Sequence, residues 1–141
     1  MASIGRPLRA SPHGSERAAP EPPDQQIAEA MAAERETLSP ECRASPARME
    51  ALLASDFHEF GASGGELGFE CTAALVVAAT DPGGEPIMVE NMRGWLLADG
   101  LVMLKYTSSH GGRRAHRTSL WRRTAPGSWQ IFHHQGTVTT S

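Results

Sequence analysis

Cysteine is scarce in this chain: Cys42 and Cys71 stand alone and far apart. Two such thiols make neither a disulfide framework nor a zinc site, so both are read as reduced. Long apolar runs are also missing. No stretch approaches the roughly 18 to 20 apolar residues that span a bilayer, which gives no expectation of a membrane helix. Arg6 and Arg9 are not followed by an apolar segment, so no secretory signal is expected and the protein is placed in the cytoplasm. Positive charge is not in excess either. The formal net charge is -3, so the chain as a whole has no general attraction for nucleic acid.

Ligand motifs are absent too. The six histidines show no H-E-x-x-H spacing and no cluster with cysteine, so no metal is expected. His110 and His116 flank a glycine turn, which is not enough to expect a metal. The glycine cluster lacks the G-K-[ST] ending of a phosphate loop, and there is no dinucleotide fingerprint. No cofactor is expected.

What is present fits one domain. The 141 residues are 40% hydrophobic, enough for one core. Residues 1–24 are rich in Pro, Ala, Ser, Arg and Glu, and hold only Ile4 and Leu8 as sizeable aliphatics. Such a segment cannot bury enough apolar surface to offset its ordering entropy, so it is read as a disordered tail before a single domain over 25–141. Ile27, Met31, Glu34 and Leu38 recur at helical spacing, and Pro40 ends that helix. Ser45-Pro46 reads as an N-cap followed by proline at the first helical position, with Met49, Leu52 and Leu53 as the apolar stripe. Asp56 to Phe60 reads as a short strand. "FECTAALVVAA" from Phe69 fits a buried helix or a strand, and its alanine content favours helix. "DPGGEP" (Asp81–Pro86) is a turn.

The rest is β. Strands are expected over Ile87–Leu97, Leu101–Ser109, Arg113–Thr124 and Trp129–Thr137, joined by "ADG", "HGG" and "APGS" turns. This is an antiparallel meander. Helices first and a meander after them give an α+β domain with helices packed on one face of the sheet.

One motif points elsewhere. Gly61-Ala62-Ser63-Gly64-Gly65 matches G-x-S-x-G, the hydrolase nucleophile elbow, and acids and then His133 and His134 follow it in hydrolase order. An elbow needs strand, sharp turn and helix within a mostly parallel sheet. A meander leaves no room for the crossovers that parallel strands require. The glycines are better read as letting the first strand bend and leave the sheet.

Two segments carry a resemblance: "LLASDFHEFGASGG" (Leu52–Gly65) and "RTSLWRRTAPGSWQIFHHQGT" (Arg117–Thr137). Together they resemble the bacterial domain of unknown function 4440, within the SnoaL-like, ketosteroid-isomerase-like, nuclear-transport-factor-2-like superfamily. The pattern there is a helix, a second helix ending in D-F-x-E-F-G-x-S-G, and a meander closing with S-L-W-R-R, W and F-H-Q-G-T. The resemblance spans roughly 27–137. It implies a strongly curved antiparallel sheet wrapped around helices into a cone with a pocket, and a homodimer through the outer sheet face. It implies no single activity, since isomerases, dehydratases, cyclases and plain binding domains share the fold. The chain departs from the pattern in two places. "ELGFECTAA" lacks the usual arginine, and His133 stands where an aromatic is typical.

Within that cone a carboxylate on a lining strand would have a raised pKa and could act as a general base. Glu59 is the candidate, with Asp56 read as a cap or turn residue. Arg117, Ser119 and Trp121 share one face of their strand; Arg114, His116, Thr118, Leu120 and Arg122 share the other. Parity therefore splits the basic runs between two faces. It also puts His134 with Gln130 and Phe132, and His133 with Trp129 and Ile131, without telling which face is inner. The resemblance favours His134 as the pocket residue, able to act as acid or base. The expected site is thus Glu59 and His134 for catalysis, with Arg117, Ser119, Tyr106 and Trp121 around a small-molecule ligand. Cofactor-free proton transfer on a hydrophobic carbonyl or hydroxyl compound is one reading. A non-catalytic homodimeric binding or interaction module is the other.

Overall fold

The computed structural model describes residues 21–62, 64–69 and 85–139. Three helices come first: α1 (Pro23–Thr37), α2 (Pro40–Arg43) and α3 (Pro46–Leu52). Six strands follow: β1 (Leu53–Phe60), β2 (Glu66–Gly68), β3 (Met88–Ala98), β4 (Leu101–His110), β5 (Arg113–Ala125) and β6 (Ser128–Val138). Most of the tail expected over 1–24, nearly all of the helix expected from Phe69 and most of the Asp81–Pro86 turn lie outside the described residues.

Each helix starts on proline. Pro23 occupies the first turn of α1, two residues before the expected start at Gln25. Ser45 caps α3 by accepting from the Arg48 backbone N–H, as its Ser-Pro pair predicts. Pro40 differs from expectation. It ends α1 but also begins α2, because Ser39 accepts from the Cys42 N–H in the same Ser-Pro arrangement. α1 turns Gln26, Ala30, Glu34 and Thr37 fully inward, with Ile27 and Met31 half-buried beside them. Its buried stripe is therefore partly polar.

The four expected meander strands form within a residue or so of the expected bounds. Gly100, Gly111, Gly112 and Gly127 all take positive φ in the turns between them. The sheet order is β2-β1-β6-β5-β4-β3. It is a mixed sheet, because β1 lies parallel to β6 while every other pair is antiparallel. The expectation of a wholly antiparallel sheet is corrected there. The neighbour of β1 is the last strand of the meander, which after three antiparallel reversals from β3 runs parallel to it. The glycine cluster is also corrected. It reverses the chain into a β1–β2 hairpin, with the Gly61 N–H donating to the Gly65 carbonyl at 2.7 Å. A strand follows it, not the helix of a nucleophile elbow.

The sheet curves around the helices without closing, which gives a cone-shaped α+β domain. Register shifts supply the curvature. One extra residue sits on β3 between Glu90 and Arg93, where Asn91 takes φ 56°. Another sits on β6, where Leu120 pairs with His133 but Trp121 pairs with Ile131. The core between helices and sheet includes Met49, Phe57, Leu104, Trp121, Trp129 and Ile131. Each such side chain stabilises by about 1.5–3 kcal/mol on burial. Gln26 latches α1 to the β3–β4 turn. Its Nε2 donates to Asp99 Oδ1 at 3.0 Å, and its Oε1 accepts from the Gly100 N–H at 2.8 Å.

Candidate functional site

The extra residue on β6 decides which side chains face inward. It resets the alternation at Phe132, so Trp129, Ile131 and His134 are all buried on the inner face. The expected grouping of His134 with Gln130 and Phe132 is overturned by this bulge. His133 faces outward, where its ring lies 6.1 Å from that of His58. The alternation of β5 holds as expected, with Ala115, Ser119 and Trp121 buried on the inner side.

A cavity of about 380 Å³ lies between the helices and the inner face of the sheet. Glu59, Tyr106, Arg117 and His134 line it. Glu59 and His134 are register partners on the adjacent strands β1 and β6. Ser119 and Trp121 do not reach the cavity. Both are fully buried behind its wall and act on it through neighbours. Asp56, read as a cap or turn residue, is on the exposed side and ion-pairs with Arg122 at 2.6 Å. The Arg122 hydrogen bond holds its carboxyl below the usual range.

The neighbours meet at Glu34, which the sequence showed only as part of a helical stripe. Its carboxylate is fully buried in α1. Tyr106 Oη donates to Oε2 at 2.5 Å, and Trp121 Nε1 donates to Oε1 at 2.7 Å. Each carboxylate oxygen thus has a donor, as a buried carboxylate requires. Burial, with the Glu34 charge beside it, pushes the Tyr106 phenol well above its ordinary value, so it stays a donor.

His134 sits between this network and the cavity. Its Nδ1 is 2.8 Å from Ser119 Oγ and 3.9 Å from Glu34 Oε2. Its Nε2 makes no hydrogen bond among the described residues. Burial lowers the His134 pKa from 6.5, while the Glu34 and Glu59 charges oppose the shift. The imidazole is therefore mainly neutral at pH 7. Ser119 is not a nucleophile in this arrangement. It is buried, and it shares a single ring nitrogen with the acid, whereas a serine triad uses opposite nitrogens of the histidine.

Further lining residues escaped the sequence reading, Arg43, Ser108 and Arg113 among them. Arg43 comes from α2, and its signal was the Ser39-Pro40 pair that starts that helix. Ser108 comes from β4 and accepts from Arg117 Nε at 3.0 Å. By contrast, Glu59 has no hydrogen bond or ion pair among the described residues. No His/Cys/Asp/Glu cluster suited to a metal occurs among them.

No family model and no curated relative matches the sequence. Solved structures do match. A cystatin-like fold protein from Burkholderia xenovorans superposes with a TM-score of 0.67 at 14% identity, covering 83% of this chain and 94% of that one. A nuclear-transport-factor-2-like protein of unknown function from Silicibacter pomeroyi gives 0.65 at 18% identity, covering 82% and 98%. A candidate ketosteroid isomerase from Parabacteroides distasonis gives 0.61 at 16% identity, covering 78% and 85%. At these identities the likeness speaks for architecture alone. The chain has the nuclear-transport-factor-2-like fold, shared with ketosteroid-isomerase-like proteins.

Proposed function

We propose that this protein binds a small molecule in its cone and catalyses cofactor-free proton transfer on it, with Glu59 and His134 as the proton-handling groups. One observation carries the reading. Two carboxylates lie near His134: Glu34 is fully satisfied by Tyr106 and Trp121, while Glu59 lines the cavity with no partner among the described residues. A closed, mutually satisfied network would serve structure alone. Here Glu59 and His134 both line a ligand-sized space, the carboxylate without a partner and the imidazole with Nε2 unbonded among the described residues. At about 380 Å³ the cavity is at the small end of ligand pockets, which span about 300–1,000 Å³. The resemblance to the domain of unknown function 4440 supports the same reading, since isomerases, dehydratases and cyclases are among its wider relatives. The test is a thermal-shift screen of the full chain against small carbonyl and hydroxyl compounds, because a ligand of the native state alone raises the melting temperature. A hit lost in both Glu59→Gln and His134→Ala, with both variants folded, supports the site. A hit unaffected by either variant overturns it.

A second reading, compatible with the first, concerns the outer face. Trp95, Met103, Leu120, His133 and His58 pair in one row across five strands. Trp95 and Phe60 are exposed there, and Phe60 packs edge-on against His58 and His133. The apolar stretch Trp95, Met103 and Leu120, continued by the rings of His133, His58 and Phe60, suits association, and a second copy of the chain is the proposed partner. Sedimentation of the wild type and of Leu120→Glu tests it: a dimer converted to monomer is expected, and a wild-type monomer would refute it.

A further inference from the structure

We infer that the ligand of this cavity is a small carboxylic acid bound as its anion, with the carboxylate held by Arg43 and Arg117 and an apolar body directed at Met49, Phe57 and Ile131. The inference rests on the cavity reading above and names its ligand class. Its ground is charge. Arg43, Arg113 and Arg117 all line the cavity, and none forms an ion pair among the described residues. Of the two lining carboxylates, Glu34 is already occupied by Tyr106 and Trp121. That leaves one open carboxylate, Glu59, against three guanidinium groups.

Arg43 and Arg117 have the clearest geometry. Arg43 is largely enclosed, and its guanidinium makes one long hydrogen bond, from Nη1 to the Thr37 carbonyl at 3.4 Å. Burial lowers its pKa; the Glu59 charge works against this and the Arg117 charge adds to it. Both cations line the same cavity. Arg117 is held by its Nε bond to Ser108, which leaves both terminal nitrogens available. It lies against the backbone of β6 at Gly136, where an added Cβ would fall 2.5 Å from Nη1. A glycine there gives the guanidinium its room. Paired guanidiniums with free terminal N–H groups match the two oxygens of a carboxylate in charge and in fork geometry. Enclosure strengthens that attraction relative to water. The apolar side chains beside them exclude a bare inorganic anion as the best fit.

The test compares acids with their neutral amides on the full chain by calorimetry: phenylacetate against phenylacetamide, and hexanoate against hexanamide, with inorganic phosphate as a third probe. At least one acid is expected to bind 10-fold or more tighter than its amide. Arg43→Gln and Arg117→Gln should each weaken that acid 10-fold or more while leaving amide binding unchanged. The acid–amide contrast needs only the wild type, so a variant that fails to fold does not remove the test. Equal binding of acid and amide overturns the inference, as does tighter binding of phosphate than of either acid. If neutral carbonyl or hydroxyl compounds bind with dependence on Glu59 and His134 while acids do not, the anion inference falls and the cavity reading stands. If neither class binds, both fall.

Discussion

Tyr106 Oη and Glu34 Oε2 lie 2.5 Å apart, joining a central strand to the first helix through a fully buried bond. The same carboxylate takes the Trp121 indole N–H. The helix layer is therefore fixed to the sheet by polar contacts as well as by packing. A hydrogen bond to a charged group contributes about 1.5–3 kcal/mol, and each buried donor left unsatisfied costs about 1–3 kcal/mol. Tyr106→Phe should lose about 1.5–3 kcal/mol in urea unfolding. Glu34→Leu, which orphans two donors, should lose more. A neutral Tyr106→Phe would show that packing alone holds the helix.

Glu59 should behave in the opposite way. It has no partner among the described residues, so Glu59→Gln removes no folded-state bond. The expected change is within about 0.5 kcal/mol, the range of substitutions away from core features. Circular dichroism melts of the two variants side by side give the check. A loss of roughly 3–5 kcal/mol, the cost of breaking a buried pair, would make Glu59 a structural residue and remove it from the site.

The contrast between the two glutamates also shows what the sequence could tell. The meander was legible because each of its turns has glycine at a position that needs positive φ. The inner face of β5 was legible because its alternation is unbroken from Ala115 to Trp121. The face of His134 was not, because one inserted residue on β6 reverses the parity beyond Ile131. The parallel placement of β1 depends on a long-range partner that no local pattern encodes. Glu34 was visible as a charge inside an otherwise apolar helical stripe, but its donors come from 72 and 87 positions away. Arg43 was legible in principle, since Ser39-Pro40 repeats the Ser45-Pro46 signal.

Gly94 sets how closely α1 can approach β3. A Cβ there would lie 2.6 Å from Ile27 Cγ2 and 2.9 Å from Leu104 Cδ2. Both are shorter than any real contact, and both neighbours are packed between helix and sheet. Overpacking of this kind costs about 1–3 kcal/mol. Gly94→Ala should lose that much, despite the usual small gain from replacing glycine in a strand. In an Ile27→Ala background, which lacks the contacting Cγ2, Gly94→Ala should cost less than it does in the wild type. Urea midpoints of the wild type, the two single variants and the double variant test this, and an unchanged midpoint in Gly94→Ala would mean the helix shifts freely.

His134 makes stability depend on pH in a definite direction. Burial is the main cause of its lowered pKa. The groups acting on it are Glu34 and Glu59, which favour the charged ring, and Arg117 and His133, which oppose it. The folded value thus lies below 6.5 and the unfolded value near it. Between the two, the unfolded chain binds more protons, so stability rises with pH across that window. The contribution is complete above the unfolded value. It is lost as pH falls from about 6.5 toward the folded pKa, and it levels off below that. His134→Gln keeps a polar partner for Ser119 but cannot titrate. The stability difference between wild type and this variant should therefore favour the wild type more at pH 8 than at pH 5.5. Urea unfolding at both pH values measures it. An equal difference at the two values would show that the ring titrates alike in the folded and unfolded chain, and would remove the argument that it is held neutral at the cavity wall.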